Sequence, residues 1–171
     1  MNAAGGGALM GTGLHPIDLL RFLLNSEITE VSALCEPQPS ANTVDEIIYL
    51  ISKFSNGTTG IVIWGALFRS DNDVVLYGNK AKVVCKGTVG MATEGELIIE
   101  GDSLDSCMSF PTDNPSFANY ASLVEAFNRC IQDNTEPTIK SYDGLQMCRI
   151  ANAVLESSRQ GKVIKIPGVR R

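Results

Sequence analysis

Residues 5–20 read GGGALMGTGLHPIDLL, and this stretch joins a glycine-rich segment directly to a helical pattern. Five of the nine residues from 5 to 13 are glycine, and the only histidine of the chain, His15, follows at the junction. Pro16 suits the first turn of a helix, because its fixed φ fits there and its missing N–H costs no hydrogen bond. Apolar residues then recur at helical spacing, which predicts a helix from about Pro16 to Leu24.

This arrangement makes His15 a candidate acid or base at the start of a helix. The ordinary pKa of histidine lies near neutrality, so the ring can accept or release a proton under physiological conditions. A helix N-terminus disfavours the charged form of the ring. Asp18 follows one turn later on the same side of the helix and could orient the ring. A purely structural role for this single histidine stays open.

The composition excludes several function classes. With 171 residues, 44% hydrophobic and 19% charged, the chain predicts one soluble globular domain with a sizeable core. The net charge is −5, and the only adjacent basic residues of note are Arg170 and Arg171 at the end. This balance argues against a nucleic-acid partner. No apolar run is long enough for a membrane span, and no basic segment opens a signal peptide.

The five cysteines follow no metal-binding pattern: they are Cys35, Cys85, Cys107, Cys130 and Cys148. They are odd in number, widely spaced and without a C-x-x-C pair, and only one histidine accompanies them. No zinc-ligand spacing results, so we expect no metal site. We interpret these residues as reduced, buried thiols of a cytoplasmic protein.

The order of the remaining elements predicts an α+β fold. Apolar segments between residues 30 and 110 alternate with turn signals such as Asn56-Gly57, which predicts a meander of about six or seven antiparallel strands. Two helices follow, one starting near Phe117 and one capped by Ser141. Residues 163–166 then read as a short last strand. Strands followed by helices, without regular alternation, are typical of the α+β class.

Several predicted strands are apolar on both faces. Ile47, Tyr49 and Ile51 alternate with Ile48 and Leu50, whereas a sheet with one wet face would alternate apolar with polar residues. Helices can cover one face, and the other then needs a partner sheet or a second subunit. Loops that cover the additional apolar residues are the alternative.

The glycines do not form a known nucleotide-binding motif. No G-x-G-x-x-G can be placed on residues 5–13, no strand precedes them, and no Gly-Lys-Ser/Thr follows. We interpret the glycines as backbone that passes close to another domain or a ligand, with a flexible chain end as the alternative. Asp45, Glu46, Asp71 and Asp73 flank strands and are predicted to be solvated. Trp64 is either a wall of a substrate site or ordinary sheet core.

The chain resembles the C-terminal domain of the Gfo/Idh/MocA oxidoreductases, which include glucose–fructose oxidoreductase and inositol dehydrogenase. Gly5 to Asp18 matches the start of that domain as G-G-G-x-x-x-x-x-G-x-H-x-x-D. Phe54 to Trp64 resembles the family's hairpin, and Tyr77 to Val83 resembles its G-x-K-G hairpin, with Ala81 where glycine is usual. Phe117 to Ile166 resembles its paired helices and last strand, so the resemblance covers essentially the whole chain.

The resemblance implies an architecture and its partners. It implies a glyceraldehyde-3-phosphate dehydrogenase-like C-terminal domain, with an open, mainly antiparallel sheet of about six strands and helices packed on one face. Family members carry an N-terminal Rossmann domain that binds NAD or NADP. We expect that domain to be absent from residues 1–171, which then form a single substrate-binding and oligomerisation domain that binds no cofactor by itself. Dimers or tetramers would form through the open sheet face.

The resemblance also implies the site. His15 falls on the family's histidine, which handles the proton of a substrate hydroxyl while hydride passes to or from nicotinamide. Asp18 would orient His15, and Trp64 would line the pocket. The family usually has a substrate-binding aspartate at the position of Gly11. The predicted function is the C-terminal domain of an NAD(P)-dependent oxidoreductase acting on a sugar, polyol or related hydroxy compound. A stand-alone binding or assembly module without catalysis is the alternative, and Gly11 favours it.

Overall fold

A computed structural model describes residues 6–37, 43–65, 69, 72–89, 95–101, 106–110 and 118–167. The chain divides into two compact units, one formed by Met1–Phe68 with Ile139–Arg171 and the other by Arg69–Thr138. Some residues that entered the predictions above lie outside the described residues: Gly5, Asp71, Phe117, Arg170 and Arg171. No helix in the described part of the chain is both long and apolar enough to span a membrane.

The described elements confirm the α+β class and contain two antiparallel sheets of four strands. In chain order they are a π-helical turn Leu9–Gly13, α1 Leu14–Leu24, β1 Ile28–Glu36, β2 Ile47–Phe54, β3 Thr59–Gly65, β4 Val74–Tyr77, β5 Ala81–Lys86, β6 Gly95–Gly101, β7 Ser106–Phe110, α2 Ala118–Asp133, α3 Ser141–Gln160 and β8 Ile164–Lys165. The strand orders are β3-β2-β1-β8 in the first unit and β4-β5-β6-β7 in the second. The expected single sheet of about six strands is corrected, because β3 and β4 are not hydrogen-bonded neighbours among the described residues.

The first unit has its core between the sheet β3-β2-β1-β8 and the helices α1 and α3. Along β2, buried and outward-facing residues alternate, so only one face of the strand meets the helices. α3 packs mainly against β1. The buried apolar side chains that meet there include Leu9, Ile17, Val31, Ile48, Leu50, Phe54, Ile150 and Val154.

The β2–β3 hairpin forms where the sequence predicts it. Gly57 has a φ of 88°, a conformation that residues with a Cβ rarely adopt. The side-chain oxygen of Asn56 accepts the N–H of Thr58 at 3.0 Å and closes the turn. Lys53 then pairs with Thr59, which sets the register of both strands.

The ends of α3 are set by local residues. Gly161 ends the helix in the left-handed region at φ 63°, and its N–H donates to the carbonyl of Ser157 at 2.8 Å, as the sequence predicts. The predicted cap Ser141 is wrong by one residue. Lys140 takes the cap position because the Asp143 carboxylate accepts its backbone N–H at 2.9 Å.

Two serines of α3 cover part of the edge of β1. β8 pairs with β1 only at Glu30 and Val31, so the rest of that edge of β1 lacks a strand partner. The N–H of Ala33 donates to Ser157 Oγ at 3.0 Å, and the N–H of Cys35 donates to Ser158 Oγ at 2.7 Å. The helix hydroxyls therefore satisfy strand amides that would otherwise be buried without partners.

The second unit contains the sheet β4-β5-β6-β7 and α2. The apolar stripe of α2 is exposed, and its members are Tyr120, Leu123, Val124, Phe127 and Ile131. All five cysteines of the chain are free thiols. The prediction that they are buried is wrong for Cys107 and Cys148, because their side chains lie on outward faces of β7 and α3.

Candidate functional site

The helix that carries His15 begins earlier than predicted. It starts with the π-helical turn Leu9–Gly13 and continues without a break into α1. Asp45 lies just before β2 and accepts the first amides of this turn: Oδ2 accepts the N–H of Leu9 at 2.7 Å, and the backbone carbonyl accepts the N–H of Ala8 at 2.8 Å. The prediction of a solvated Asp45 is wrong, because its carboxylate is needed at the helix start and is buried, at 4% exposure.

Two glycines of the opening segment are required by close packing. A Cβ on Gly7 would overlap the carbonyl and carboxylate of Asp45. A Cβ on Gly13 would lie 2.8 Å from Ile48 Cδ1 and 2.9 Å from the carbonyl oxygen of Ala8. These two glycines let the turn approach Asp45 and β2 closely. The expected neighbour, another domain or a ligand, is corrected for them, because the neighbouring atoms belong to the same unit.

Gly11 differs from the other two glycines. A Cβ placed on Gly11 would meet nothing within 4 Å, so a side chain could be accommodated there. Gly11 lies four residues before His15, a spacing that makes two positions neighbours on a helix surface. Both residues are exposed. The space at Gly11 is therefore open to solvent, as His15 is.

His15 is the second residue of α1 and does not lie at the helix start. The expected position at the mouth of the helix is corrected, because the π-helical turn adds five residues before α1. Among the described residues, no hydrogen bond engages the ring of His15. The ring is exposed and can reach a ligand from solvent.

Asp18 is paired with Arg21 of the same helix. Arg21 Nη1 donates to Asp18 Oδ1 at 2.5 Å, a contact between residues three positions apart. Asp18 therefore has a cationic partner about one turn later in α1, and not toward the start of the helix. The role of Asp18 in orienting His15 stays a prediction.

Arg21 forms the centre of a charge cluster that sequence reasoning missed. Its guanidinium donates to Glu27 through Nε at 2.9 Å and Nη2 at 2.8 Å, and Nη2 also contacts Asp143 at 3.2 Å. Burial alone would lower the pKa of Arg21, but the hydrogen bonds and negative charges of Glu27 and Asp18 outweigh it and raise that pKa. The cluster joins α1 to the start of β1 and to α3. The sequence signal for this charge cluster is an arginine three residues after Asp18, within an apolar helix pattern.

Trp64 lies at the border between the core and the candidate site. It is half-buried on the inner side of β3, where it packs against core residues. Its indole Nε1–H donates to Thr12 Oγ1 at 2.8 Å. Trp64 therefore combines a packing role with a polar contact to the turn that carries Gly11. Thr12 was not predicted as part of any site, since only the fold brings it to Trp64.

Gly11, Thr12 and His15 carry the groups from which the candidate site can be built. Gly11 and Thr12 lie four and three residues before His15, in the π-helical turn that continues into α1. The imidazole can act as acid or base, the Thr12 hydroxyl can form hydrogen bonds, and the space at Gly11 can admit a ligand. In the described part of the chain, no group of three metal-binding side chains is found.

The start of the helix that carries His15 offers no phosphate-binding site for a dinucleotide cofactor. A phosphate-binding helix start presents free backbone N–H groups to the anion. Here the N–H groups of Ala8 and Leu9 already donate to Asp45. The buried Asp45 carboxylate would in addition repel a phosphate at this position.

The family model described as "Oxidoreductase family, C-terminal alpha/beta domain" matches residues 1–166 of the chain. The chain belongs to this family, that of the Gfo/Idh/MocA oxidoreductases. The resemblance drawn from the motifs is thereby confirmed. One relative is YrbE of Bacillus subtilis (strain 168), an uncharacterized oxidoreductase that is 27% identical over 176 residues, which covers 94% of this chain and 48% of YrbE.

Solved structures share the fold. The aldose-aldose oxidoreductase of Caulobacter crescentus, complexed with glycerol, superposes with a TM-score of 0.80 at 22% identity, over 94% of this chain and 48% of that one. Levoglucosan dehydrogenase, in complex with NADH and levoglucosan, gives a TM-score of 0.77 at 21% identity, over 97% of this chain and 52% of that one. The chain therefore spans about half the length of the relatives it matches.

Proposed function

We propose that this chain is the substrate-binding and oligomerisation domain of an oxidoreductase that uses NAD or NADP to oxidise or reduce a sugar, polyol or related hydroxy compound. The exposure of His15, four residues after the open position Gly11, is the observation that carries this proposal. The family match and the chemistry of the neighbouring structures, which hold glycerol or levoglucosan, support the substrate class.

In this proposal His15 handles the proton of the reacting hydroxyl. When an alcohol is oxidised, its O–H proton passes to the imidazole and its C–H hydride leaves, so that a carbonyl forms. NAD or NADP, when bound, would supply the hydride acceptor for this oxidation or the hydride donor for the reverse reaction. We assign the binding of that cofactor to a Rossmann domain outside residues 1–171, since this chain spans about half the length of its relatives. Asp45 keeps the helix start, and therefore His15, in place against β2.

The outer face of the first sheet supports the proposed self-association. Five large apolar side chains on adjacent strands are exposed there: Leu34, Tyr49, Ile51, Ile61 and Ile63. Apolar residues grouped on one surface in this way mark interaction sites. A cavity of about 210 Å³ lined by Ser32, Ile51 and Thr59, among others, opens on the same face. We propose a dimer or tetramer that buries this surface.

A non-catalytic binding or assembly module is the second candidate. Gly11 favours it, because the carboxylate that the family usually places there is missing. The module would keep the fold, the exposed sheet face and a ligand surface, but it would not transfer hydride.

The proposal is tested by joining this chain to an in-frame Rossmann segment, if the gene encodes one, and assaying sugars and polyols with NAD and NADP. We expect His15→Ala to reduce turnover by about 100- to 10,000-fold, the range for general acid–base catalysis. Thr58→Val, in the exposed hairpin turn, serves as the control and should keep full turnover. Unchanged turnover in His15→Ala would reject the catalytic role. Ligand binding without any turnover would favour the non-catalytic module.

A further inference from the structure

The outer face of the first sheet carries a row of charged side chains at one end. Glu30 of β1 is paired in register with Lys53 of β2 on one side and with Lys165 of β8 on the other. All three side chains point outward, because the next residues along the strands, such as Val31 and Phe54, point into the core. The row therefore adds charge to one end of a face that is otherwise largely apolar.

The charges of this row are available to a partner. Glu30 and Lys53 both line the cavity that opens on this face, and Lys53 is exposed. Within the described part of the chain, no ion pair joins Glu30 to Lys53 or to Lys165. One acidic and one basic group thus stand side by side on neighbouring strands without neutralising each other through direct contact.

A second copy of the chain can bind this face in only a few ways. A two-fold interface uses the same surface of both copies, and sheets that pack face to face keep their strands nearly aligned or cross them at about a right angle. For aligned sheets, the two-fold axis runs either along the strands or across them. An axis along the strands, between β1 and β2, sets β1 of each copy opposite β2 of the other and keeps the two charged ends together. An axis across the strands sets β1 opposite β1 and moves the charged ends apart.

The charge pattern distinguishes these arrangements. With the axis along the strands, Glu30 of one copy lies opposite Lys53 of the other, and symmetry repeats this contact. Sheets pack about 10 Å apart, a gap that two long side chains can bridge. The apolar part of the face is then also matched, since Leu34 of one copy lies opposite Tyr49 of the other. With the axis across the strands, Glu30 would instead lie opposite Glu36, at the far end of β1, and like charges would meet.

We propose that two copies of the chain associate through this face about a two-fold axis parallel to β1 and β2, with Glu30 of each copy paired to Lys53 of the other. The apolar residues supply the affinity, and the two charged residues set the orientation, because complementary charges exclude the arrangement in which like charges meet. This inference rests on the self-association in the proposed function and adds its geometry.

Two charge-reversed variants of the full chain test this orientation. Glu30→Lys alone places lysines opposite each other, and Lys53→Glu alone places glutamates opposite each other, so we expect each variant to associate at least about 10-fold more weakly than the wild type. An equimolar mixture restores both contacts between copies and should form heterodimers about as tightly as the wild type. The double variant restores the charges within and between copies and should do the same. Sedimentation velocity over a concentration series measures the Kd.

Lys82→Glu is the matched control. It breaks a cross-strand pair with Glu100, 3.0 Å long, in the second unit, and it should leave the Kd unchanged. An equal weakening by this control would overturn the inference, since charge anywhere on the chain would then have the same effect. Failure of both the mixture and the double variant to regain association would overturn it while self-association stands. Tighter association of Glu30→Lys alone would also overturn it and favour the axis across the strands. If the wild type is monomeric at every concentration, the proposed self-association fails, and its geometry fails with it.

Discussion

Arg21 and Glu27 form a two-point ion pair in which each side chain is only 2% exposed. Nε and Nη2 of Arg21 donate to the two carboxylate oxygens of Glu27 at 2.9 and 2.8 Å. Asp18 and Asp143 contact the same guanidinium from α1 and α3. In this planar geometry each carboxylate oxygen of Glu27 accepts one N–H, so burial leaves neither oxygen without a partner. With Asp18 and Asp143, the pair connects α1, the start of β1 and α3.

Glu27→Ala should destabilise the chain by about 3 kcal/mol, because it leaves a buried guanidinium without its main partner. We place the cost at the lower end of the range for broken buried pairs, since Asp18 and Asp143 still contact Arg21. Urea unfolding followed by circular dichroism measures the change. Glu125→Ala is the control: its arginine partner is Arg129, both side chains are more than 60% exposed, and we expect no measurable change. Similar effects of the two substitutions would contradict a stabilising role for the buried pair.

Asp45→Ala should cost about 1–3 kcal/mol, because the buried N–H of Leu9 loses its acceptor. The same variant should speed hydrogen exchange at the Leu9 amide. Asp73→Ala is the matched control, since Asp73 also accepts one backbone N–H, from Gly87 at 2.8 Å, but in an exposed position. We expect its effect on the free energy of unfolding to be smaller. Unchanged exchange at Leu9 in Asp45→Ala would show that the carboxylate does not hold the helix start.

Gly11→Ala and Gly13→Ala should have opposite effects on stability. Alanine at Gly11 meets open space and restricts the unfolded chain, so we expect a gain of about 0.5–1 kcal/mol. Alanine at Gly13 is forced against Ile48 and the carbonyl of Ala8, so we expect a loss of about 1–3 kcal/mol. Denaturant midpoints of the two variants provide the comparison. A loss at Gly11 would mean that the space beside His15 is filled.

Ile63→Lys should reduce self-association by placing a charge among the apolar residues on the outer face of the first sheet. Burying an unpaired ammonium in an interface is costly, whereas the same side chain is well solvated on a monomer. Light scattering over a concentration series compares the variant with the wild type. Ile131→Lys, on the exposed stripe of α2, is the control and should associate like the wild type. If only the α2 variant became monomeric, the interface would lie on α2.

Cys35 should make the chain less stable at alkaline pH. Burial raises the pKa of its thiol, the charges of Asp45 and Glu36 act in the same direction, and a hydrogen bond with Ser158 opposes them without cancelling the shift. Above about pH 8.5 the unfolded chain releases this proton while the folded chain keeps it. The stability that the thiol contributes is therefore complete below that pH and is lost as the pH rises, with a slope of at most about 1.4 kcal/mol per pH unit.

The comparison between Cys35→Ala and the wild type measures this slope from pH 7 to pH 10 by urea unfolding. The variant should show a flatter decline, whatever its stability at pH 7. Cys148→Ala removes an exposed thiol and should keep the wild-type slope. Identical slopes in all three proteins would contradict the effect of burial.

The sequence by itself determined the features that depend on neighbouring residues. Asn56 and Gly57 predict the hairpin because only a few residue types adopt its turn conformation, and Gly161 predicts the end of α3 for the same reason. The family motif around His15 likewise identified the fold, whereas the catalytic role of His15 stays a prediction. Periodicity placed the strands and helices to within a few residues, since it depends on local geometry alone.

Only the tertiary structure decided which polar groups meet. Asp45 caps the turn at Leu9 across 36 residues, and Trp64 reaches Thr12 across 52. No local pattern indicates these contacts, because a buried donor accepts any suitable partner that packing brings within reach. The residues of the candidate site differ in the same respect. His15 is visible in the sequence, whereas the residues that hold its helix against the sheet become visible only when the two pack together.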